Sequence, residues 1–273
     1  LSVTPDTLIG GLQTEVTGRS GDIESGYVYI TAYGREEWGT YEGRTFSELG
    51  DVIFRGLTTL GDSAFGISFF TPMDLDSGVG KVSGYLWDKG CGGRMGKTTW
   101  ITGRDTTVLD TTGPQIEVFV NGRKMPKSVK VGKKFTMSAI LQDQSGIMLQ
   151  EGKGIRLEIT GGSYYQLEDK FEYDIGNSTR GELVTDVELQ TMYTVDTLTL
   201  IVRDNVGNES KLKFWVEKTF GDKIVLENPI NYPNPVRGEK TRIEFYSSRD
   251  GMGTIRIFTI SGRLIKTLYL QNV

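Results

Sequence analysis

Short runs of β-branched and aromatic residues recur along this chain, and glycine-containing turns separate them. The chain has 36 glycines in 273 residues, roughly twice the usual share of about 7%. Helical periodicity is nearly absent, whereas strand signals at this spacing are typical of β-sandwiches. We therefore predict an all-β fold. The main strand-like runs are 27–33, 51–55, 64–70, 81–87, 116–120, 135–141, 155–159, 198–202 and 212–216.

A break at residues 110–114 divides these runs into two groups. Glycine and proline there end any preceding strand, and Ile116, Val118 and Val120 then fall on one face of the next strand. Asn121-Gly122 predicts a hairpin turn with positive φ. We predict tandem Ig-like antiparallel β-sandwiches and a partial sandwich, with few contacts crossing either boundary. The predicted domains are residues 1–109, 110–219 and 220–273.

Charge and composition limit the functions open to the chain. A formal net charge of −4 provides no basic field for a nucleic-acid backbone. Cys91 is the only cysteine, and the chain has no histidine, so no Cys–His pair can form within it. Nearby Lys89 and Arg94 favour a thiolate, but the flanking glycines predict a mobile loop. We expect no catalytic residue, no signal peptide and no membrane span in this segment.

Two polar turns in the second group raise the question of calcium. Residues 143–147 and 203–210 place Asp, Asn and glycine between strands, where such side chains bond their own backbone. Oxygen ligands are dense around Asp204, Asn205, Asn208 and Glu209, which is the calcium alternative. The full ligand spacing of a calcium loop is missing. We therefore predict structural turns and no cofactor, and the same holds for residues 74–78.

The final segment carries a motif of its own. Asn231-Tyr232-Pro233-Asn234-Pro235 precedes a strand-like run at 241–245, and a longer run at 255–268 contains Ser261-Gly262-Arg263. This order resembles the opening half of the C-terminal sorting domain of type IX secretion substrates of the Bacteroidetes. The resemblance implies a sorting signal. Its predicted sorting-motif residues are Tyr232, Pro233, Asn234, Pro235, Gly262 and Arg263.

A second resemblance covers most of the chain. Five segments, in order, resemble the region that follows the catalytic domain in gingipain-type cysteine peptidases, above all their type IX sortases: 3–7, 80–85, 110–116, 143–147 and 152–155. That resemblance implies a cell-surface, outer-membrane-associated protein. Its implied partners are outer-membrane components of the secretion system, such as a PorV-like β-barrel. The chain departs from the family where Arg156 follows Gly154-Ile155, because many members have a Gly-Ile-Gly-His run there.

The tail is about half the length of a complete sorting domain, which predicts an open sheet edge and an unfilled core face. We expect the segment to belong to a larger exported protein. Two functions stay open: the non-catalytic region of a sortase-like surface peptidase, or the tail of a secreted type IX cargo such as an adhesin or surface hydrolase. A third, a carbohydrate-binding module, depends on exposed aromatics: Trp38, Tyr41, Tyr164, Tyr165 and Tyr193.

Overall fold

The computed structural model describes residues 1–90, 92–108, 110–125, 128–190, 195–218, 226–236, 240–247 and 251–270. The described residues are built almost entirely of β-strands, with a single 3-10 turn at Glu168–Lys170. Among them, no helix is long and apolar enough to span a membrane. The all-β sandwich prediction is confirmed.

The first region of the chain contains ten strands. They are β1 (Ser2–Thr4), β2 (Thr7–Gly10), β3 (Gln13–Arg19), β4 (Gly26–Tyr33), β5 (Glu37–Tyr41), β6 (Arg44–Glu48), β7 (Val52–Leu60), β8 (Ala64–Phe70), β9 (Gly78–Trp87) and β10 (Gly92–Arg104).

These strands form a sandwich of two sheets and a separate hairpin. One sheet has the order β1-β3-β8, the other has the order β2-β10-β9-β4-β7, and β5 pairs with β6. Alternation along β4 buries Val28, Ile30 and Ala32, as a half-buried strand requires. Phe54 of β7 stacks on Phe69 of β8 with ring centroids 4.4 Å apart, so these rings fill the core between the two sheets.

One segment differs from its sequence prediction. Gly92 and Gly93 begin β10, the longest strand, rather than forming a mobile loop. Each residue from Gly92 to Ile101 pairs with a residue of β9, and this ladder of backbone hydrogen bonds outweighs the poor strand propensity of glycine. Cys91 lies outside the described residues.

The described residues of the second region form ten strands, and those of the tail form four. They are β11 (Gln115–Val120), β12 (Arg123–Lys124), β13 (Ser128–Val131), β14 (Lys134–Gln142), β15 (Ile155–Ile159), β16 (Tyr164–Gln166), β17 (Phe171–Tyr173), β18 (Arg180–Glu188), β19 (Val195–Arg203), β20 (Glu209–Lys218), β21 (Leu226–Tyr232), β22 (Arg242–Ser247), β23 (Gly253–Phe258) and β24 (Leu264–Leu270).

The strands of the second region form two five-stranded sheets, ordered β12-β11-β14-β18-β17 and β13-β20-β19-β15-β16. β15 runs antiparallel to β19, with Leu157 opposite Leu200, and both side chains are fully buried. Asn121 and Gly122 have φ of 48° and 76° in the turn between β11 and β12. That positive-φ hairpin turn is confirmed.

Contacts divide the chain into two compact units. Unit 1 comprises Leu1–Val118, Ala139–Thr185 and Leu198–Lys213, and unit 2 comprises Phe119–Ser138, Asp186–Thr197 and Phe214–Val273. Unit 1 therefore contains the first sandwich and part of the second region. The domain boundaries at 109/110 and 219/220 stay predictions.

Within unit 1, polar contacts connect the first sandwich to the second region. The Arg55 guanidinium donates hydrogen bonds to the carbonyl oxygens of Glu168 and Phe171. The Asn205 Nδ2 amide donates to the Phe70 carbonyl at 3.1 Å. The expectation that few contacts cross residues 110–114 is therefore wrong. The sequence could not show these contacts, because they join residues more than a hundred positions apart.

Unit 2 includes the four strands of the tail. β21 pairs with β22, and β23 pairs with β24, as separate two-stranded sheets. The buried hydrophobic residues end at Val216, so no tail residue whose burial is described belongs to the core. A two-stranded hairpin is at best marginally stable alone.

Candidate functional site

The predicted sorting motif begins where β21 ends. Tyr232 is the last residue of β21 and lies opposite Arg242 of β22. Its side chain is 77% exposed. Pro233, Asn234 and Pro235 follow in a bend, and the Thr241 hydroxyl donates a hydrogen bond to the Pro233 carbonyl at 3.3 Å. The prolines thus mark the connection into β22, consistent with their inability to continue a ladder of hydrogen bonds.

Gly262 and Arg263 lie in the turn between β23 and β24. Gly262 has φ of 84°, and its N–H donates to the Thr259 carbonyl at 3.0 Å. The Thr259 N–H donates to the Arg263 carbonyl at 2.9 Å, which closes the turn. The predicted positive φ is confirmed. In the described part of the tail, no strand pairing joins this turn to the motif at Tyr232.

The two tail hairpins expose several large apolar side chains. Ile265 is 61% exposed and Phe258 is 52% exposed. Exposed apolar surface of this kind marks an interaction site or an incomplete core. The other large exposed apolar residues of the hairpins include Ile230, Leu264 and Tyr269.

A cluster of three carboxylates lies in unit 1. Asp110, Asp143 and Asp204 each place an oxygen within 4.8 Å of the others. Asp143 and Asp204 are buried. The Ser145 hydroxyl donates to Asp110 Oδ2 at 2.5 Å, and the Ser145 N–H donates to Asp143 Oδ1 at 2.7 Å. Sequence reasoning recognised the polar character of each segment but did not predict that they meet.

Asp204 organises the turn that it begins. Its Oδ1 accepts backbone N–H bonds from Val206, Gly207 and Asn208 at 2.7–2.9 Å. Its Oδ2 accepts a bond from the Asn208 side-chain amide at 2.8 Å. The hydrogen bonds of the turn thus account for both oxygens of Asp204.

Electrostatics differ among the three carboxyls. Burial is the main cause that raises the pKa of Asp143 to about 7. The hydrogen bond from the Ser145 N–H lowers this pKa, whereas repulsion from the Asp204 and Asp110 carboxylates raises it further. Burial also raises the pKa of Asp204, although four hydrogen bonds oppose it. For Asp110, partial burial raises the pKa, but hydrogen bonds from Ser145 and Thr112 outweigh it and hold the pKa below its usual value.

Three clustered carboxylates are hard oxygen ligands that could hold a calcium ion. Of the other residues named for calcium, Glu209 pairs with Arg203 and Lys211, each at 2.7 Å, whereas the buried Oδ1 of Asn205 has no hydrogen-bond partner among the described residues. At residues 74–78, Asp74 pairs with Lys153 at 3.3 Å. Hydrogen bonds of the turn and these ion pairs account for the carboxylates of Asp204, Glu209 and Asp74, and the absence of a cofactor stays a prediction.

The aromatic residues that the sequence suggested as a carbohydrate-binding surface lie on different strands. Trp38 and Tyr41 lie on β5, and Trp38 is 71% exposed. Tyr164 and Tyr165 lie on β16. Tyr193 lies outside the described residues.

The fold defines the chain as an all-β protein of sandwich class. Among solved structures, it is similar to dimeric latent PorU from Porphyromonas gingivalis, with 20% identity and a TM-score of 0.42, over 97% of this chain and 27% of that one. It is also similar to BcpA, the major pilin subunit of Bacillus cereus, with 11% identity and a TM-score of 0.23, over 94% and 95% of the two chains. A bacterial ice-binding adhesin of 1.5 MDa matches with 12% identity and a TM-score of 0.23, over 99% and 94%.

The chain thus spans about a quarter of the PorU chain that it matches. No protein-family model matches the sequence, and neither does any curated protein. Likenesses this distant concern the fold and carry no argument about activity.

Proposed function

We propose that this chain is the non-catalytic C-terminal region of a gingipain-type surface peptidase of the type IX sortase class. In this role it serves as a spacer and as a docking and sorting module at the outer membrane. The observation that carries the proposal is the tail: hairpins bearing the sorting-like motif expose apolar side chains such as Phe258 and Ile265. Such surface is costly in water, so a partner or further strands must cover it.

The spacer role is supported by the contacts within unit 1. Arg55 bonds the carbonyl of Phe171, and the Met73 N–H donates to the Asn205 carbonyl at 2.8 Å. Fixed polar contacts of this kind restrict hinge motion between packed elements.

The test uses the full-length protein in its own host. Outer-membrane extracts are probed for a PorV-like β-barrel that co-purifies with it. Glutamate at Phe258 and Ile265 places charge at two exposed apolar positions without disturbing a packed core, so we expect co-purification to fall to background. Tyr164→Glu is the matched control, because Tyr164 is exposed on β16, outside the tail.

Undiminished co-purification of the Phe258→Glu, Ile265→Glu double variant would contradict the docking role. Any domain of the full-length protein on the N-terminal side of Leu1 would separate the sortase proposal from the cargo alternative. A gingipain-type domain with its Cys and His supports the first. An adhesin or hydrolase domain there would overturn it.

A further inference from the structure

The outer face of the five-stranded sheet of the first sandwich carries an aromatic cleft. Its volume is about 540 Å³, and three of its lining residues are Tyr29 of β4 with Tyr85 and Trp87 of β9. Its volume and its mixture of rings and a few polar groups are common in small-molecule sites, and because it is wide open to solvent it suits a ligand that lies along the surface. None of its lining residues belongs to the tail motif or to the acidic cluster, and neither of them explains it.

Strand alternation creates the row of rings. Leu86 points into the core, so its neighbours Tyr85 and Trp87 both point outward. Tyr27 lies directly opposite Trp87 across the β4–β9 pair. The ring centroids of Tyr85 and Trp87 are 5.5 Å apart with planes inclined by 24°, and those of Tyr27 and Trp87 are 5.9 Å apart at 32°.

A glycine on the neighbouring strand makes room for this arrangement. A Cβ at Gly92 would lie 2.7 Å from the Tyr85 hydroxyl oxygen, closer than two such atoms can approach. A side chain at residue 92 would therefore displace the Tyr85 ring from this position over β10. Tyr85 is nevertheless 45% exposed, so a ligand can reach it.

Polar groups of both kinds border the rings. Asp88 and Lys89 line the cleft, and Asp88 Oδ1 accepts the Gly90 N–H at 2.8 Å, which fixes the carboxylate. A carboxylate accepts hydrogen bonds and an ammonium donates them. A ligand hydroxyl group can donate a hydrogen bond to the Asp88 carboxylate and accept one from the Lys89 ammonium.

The geometry distinguishes among ligand classes. A quaternary ammonium needs rings that box it in, whereas these planes are near parallel, and Lys89 already supplies a cation. A polyproline segment offers carbonyl acceptors but no N–H for the Asp88 carboxylate. A pyranose offers both an apolar C–H face for an aromatic ring and hydroxyls for the rim.

We propose that this cleft binds a neutral oligosaccharide, whose sugar rings pack on Tyr85 and Trp87 while hydroxyls bond Asp88 and Lys89. The site differs from the aromatic residues that sequence reasoning assigned to carbohydrate. It is also independent of the sorting role of the tail.

The test titrates the full chain with cellohexaose and mannohexaose, followed by tryptophan fluorescence and calorimetry. At least one is expected to bind saturably. Trp87→Ala and Tyr85→Ala should each weaken binding by about ten-fold, since an aromatic contact is worth about 1 kcal/mol or somewhat more. Tyr85→Phe, which keeps the ring, should stay within about three-fold of the original affinity.

Trp100→Ala is the matched control, because Trp100 is exposed on β10, outside the cleft. Thermal unfolding of each variant shows whether it is folded. If Trp87→Ala does not fold, Tyr85→Ala still tests the proposal, because Tyr85 is exposed and its removal leaves the core intact. Absence of binding to both sugars, or binding that Tyr85→Ala leaves unchanged, would overturn the proposal. So would saturable binding of decaproline in place of the sugars.

Discussion

The Arg55 guanidinium of β7 donates two hydrogen bonds to the Phe171 carbonyl of β17, from Nη2 at 2.9 Å and from Nε at 3.3 Å. One side chain of the first sandwich thereby satisfies the backbone of the second region. The aromatic rings of Phe54 and Tyr173 meet nearby, with centroids 5.5 Å apart. Polar and apolar contacts together make unit 1 continuous.

Arg55→Met should destabilise unit 1. The substitution keeps much of the apolar side-chain volume but leaves the Phe171 carbonyl without its charged donor, which costs about 2 kcal/mol. Calorimetric unfolding measures the loss. Lys211→Met is the control, because it removes only an exposed ion pair with Glu209, worth about 0.5 kcal/mol. Equal stability of the two variants would show that the Arg55 contacts do not hold unit 1 together.

The raised pKa of Asp143 predicts that the stability of the fold decreases as the pH rises towards neutrality. Its folded pKa of about 7 lies above the ordinary 3.8, so the folded state retains a proton that the unfolded state releases. The free energy of unfolding should therefore fall as pH rises from about 4 to about 7 and then level off, by on the order of 2–4 kcal/mol. Denaturant unfolding across this range measures it.

Asp143→Asn should remove most of that slope, because an amide cannot ionise yet can still accept the Ser145 N–H. The variant should be the more stable one at pH 8. Asp22→Asn, at an exposed aspartate, is the control and should keep the original pH dependence. A slope that survives in Asp143→Asn would assign the effect to other groups.

Calcium offers a separate test of the acidic cluster. Because both oxygens of Asp204 already accept bonds within its own turn, we expect the melting temperature to be the same in millimolar calcium and in EGTA. Differential scanning calorimetry makes the comparison. Stabilisation by calcium that disappears in Asp143→Asn would instead identify a metal site at Asp110, Asp143 and Asp204.

Gly262→Val should disrupt the tail hairpin. Valine is strained at φ of 84°, at a cost of about 1–3 kcal/mol, whereas Gly262→Asn should be tolerated because asparagine adopts this conformation more readily. In the full-length protein we expect the valine variant to lose surface labelling and the asparagine variant to retain it. Circular dichroism of the 1–218 fragment shows whether the preceding strands fold by themselves.

Normal surface labelling of Gly262→Val would remove the argument that this segment is a folded sorting signal. Loss of labelling in both variants would point to the glycine itself rather than to its φ.

Local patterns in the sequence were sufficient to predict the structural features that depend only on neighbouring residues. Alternation predicts that Val28, Ile30 and Ala32 share the buried face of β4, because successive side chains of a strand point to opposite faces. The turns at Asn121-Gly122 and Gly262 follow from the need for positive φ. Both depend on chemistry within a few residues, which the sequence displays directly.

Only the tertiary structure decided the features that depend on distant partners. β10 begins at Gly92 because β9 supplies its hydrogen bonds, although its glycines predicted a loop. The carboxyls of Asp110, Asp143 and Asp204 repel one another only because three turns converge. Arg55 reaches Phe171 across 116 positions. Such pairings are set by how whole sheets pack, and no local periodicity in the chain encodes them.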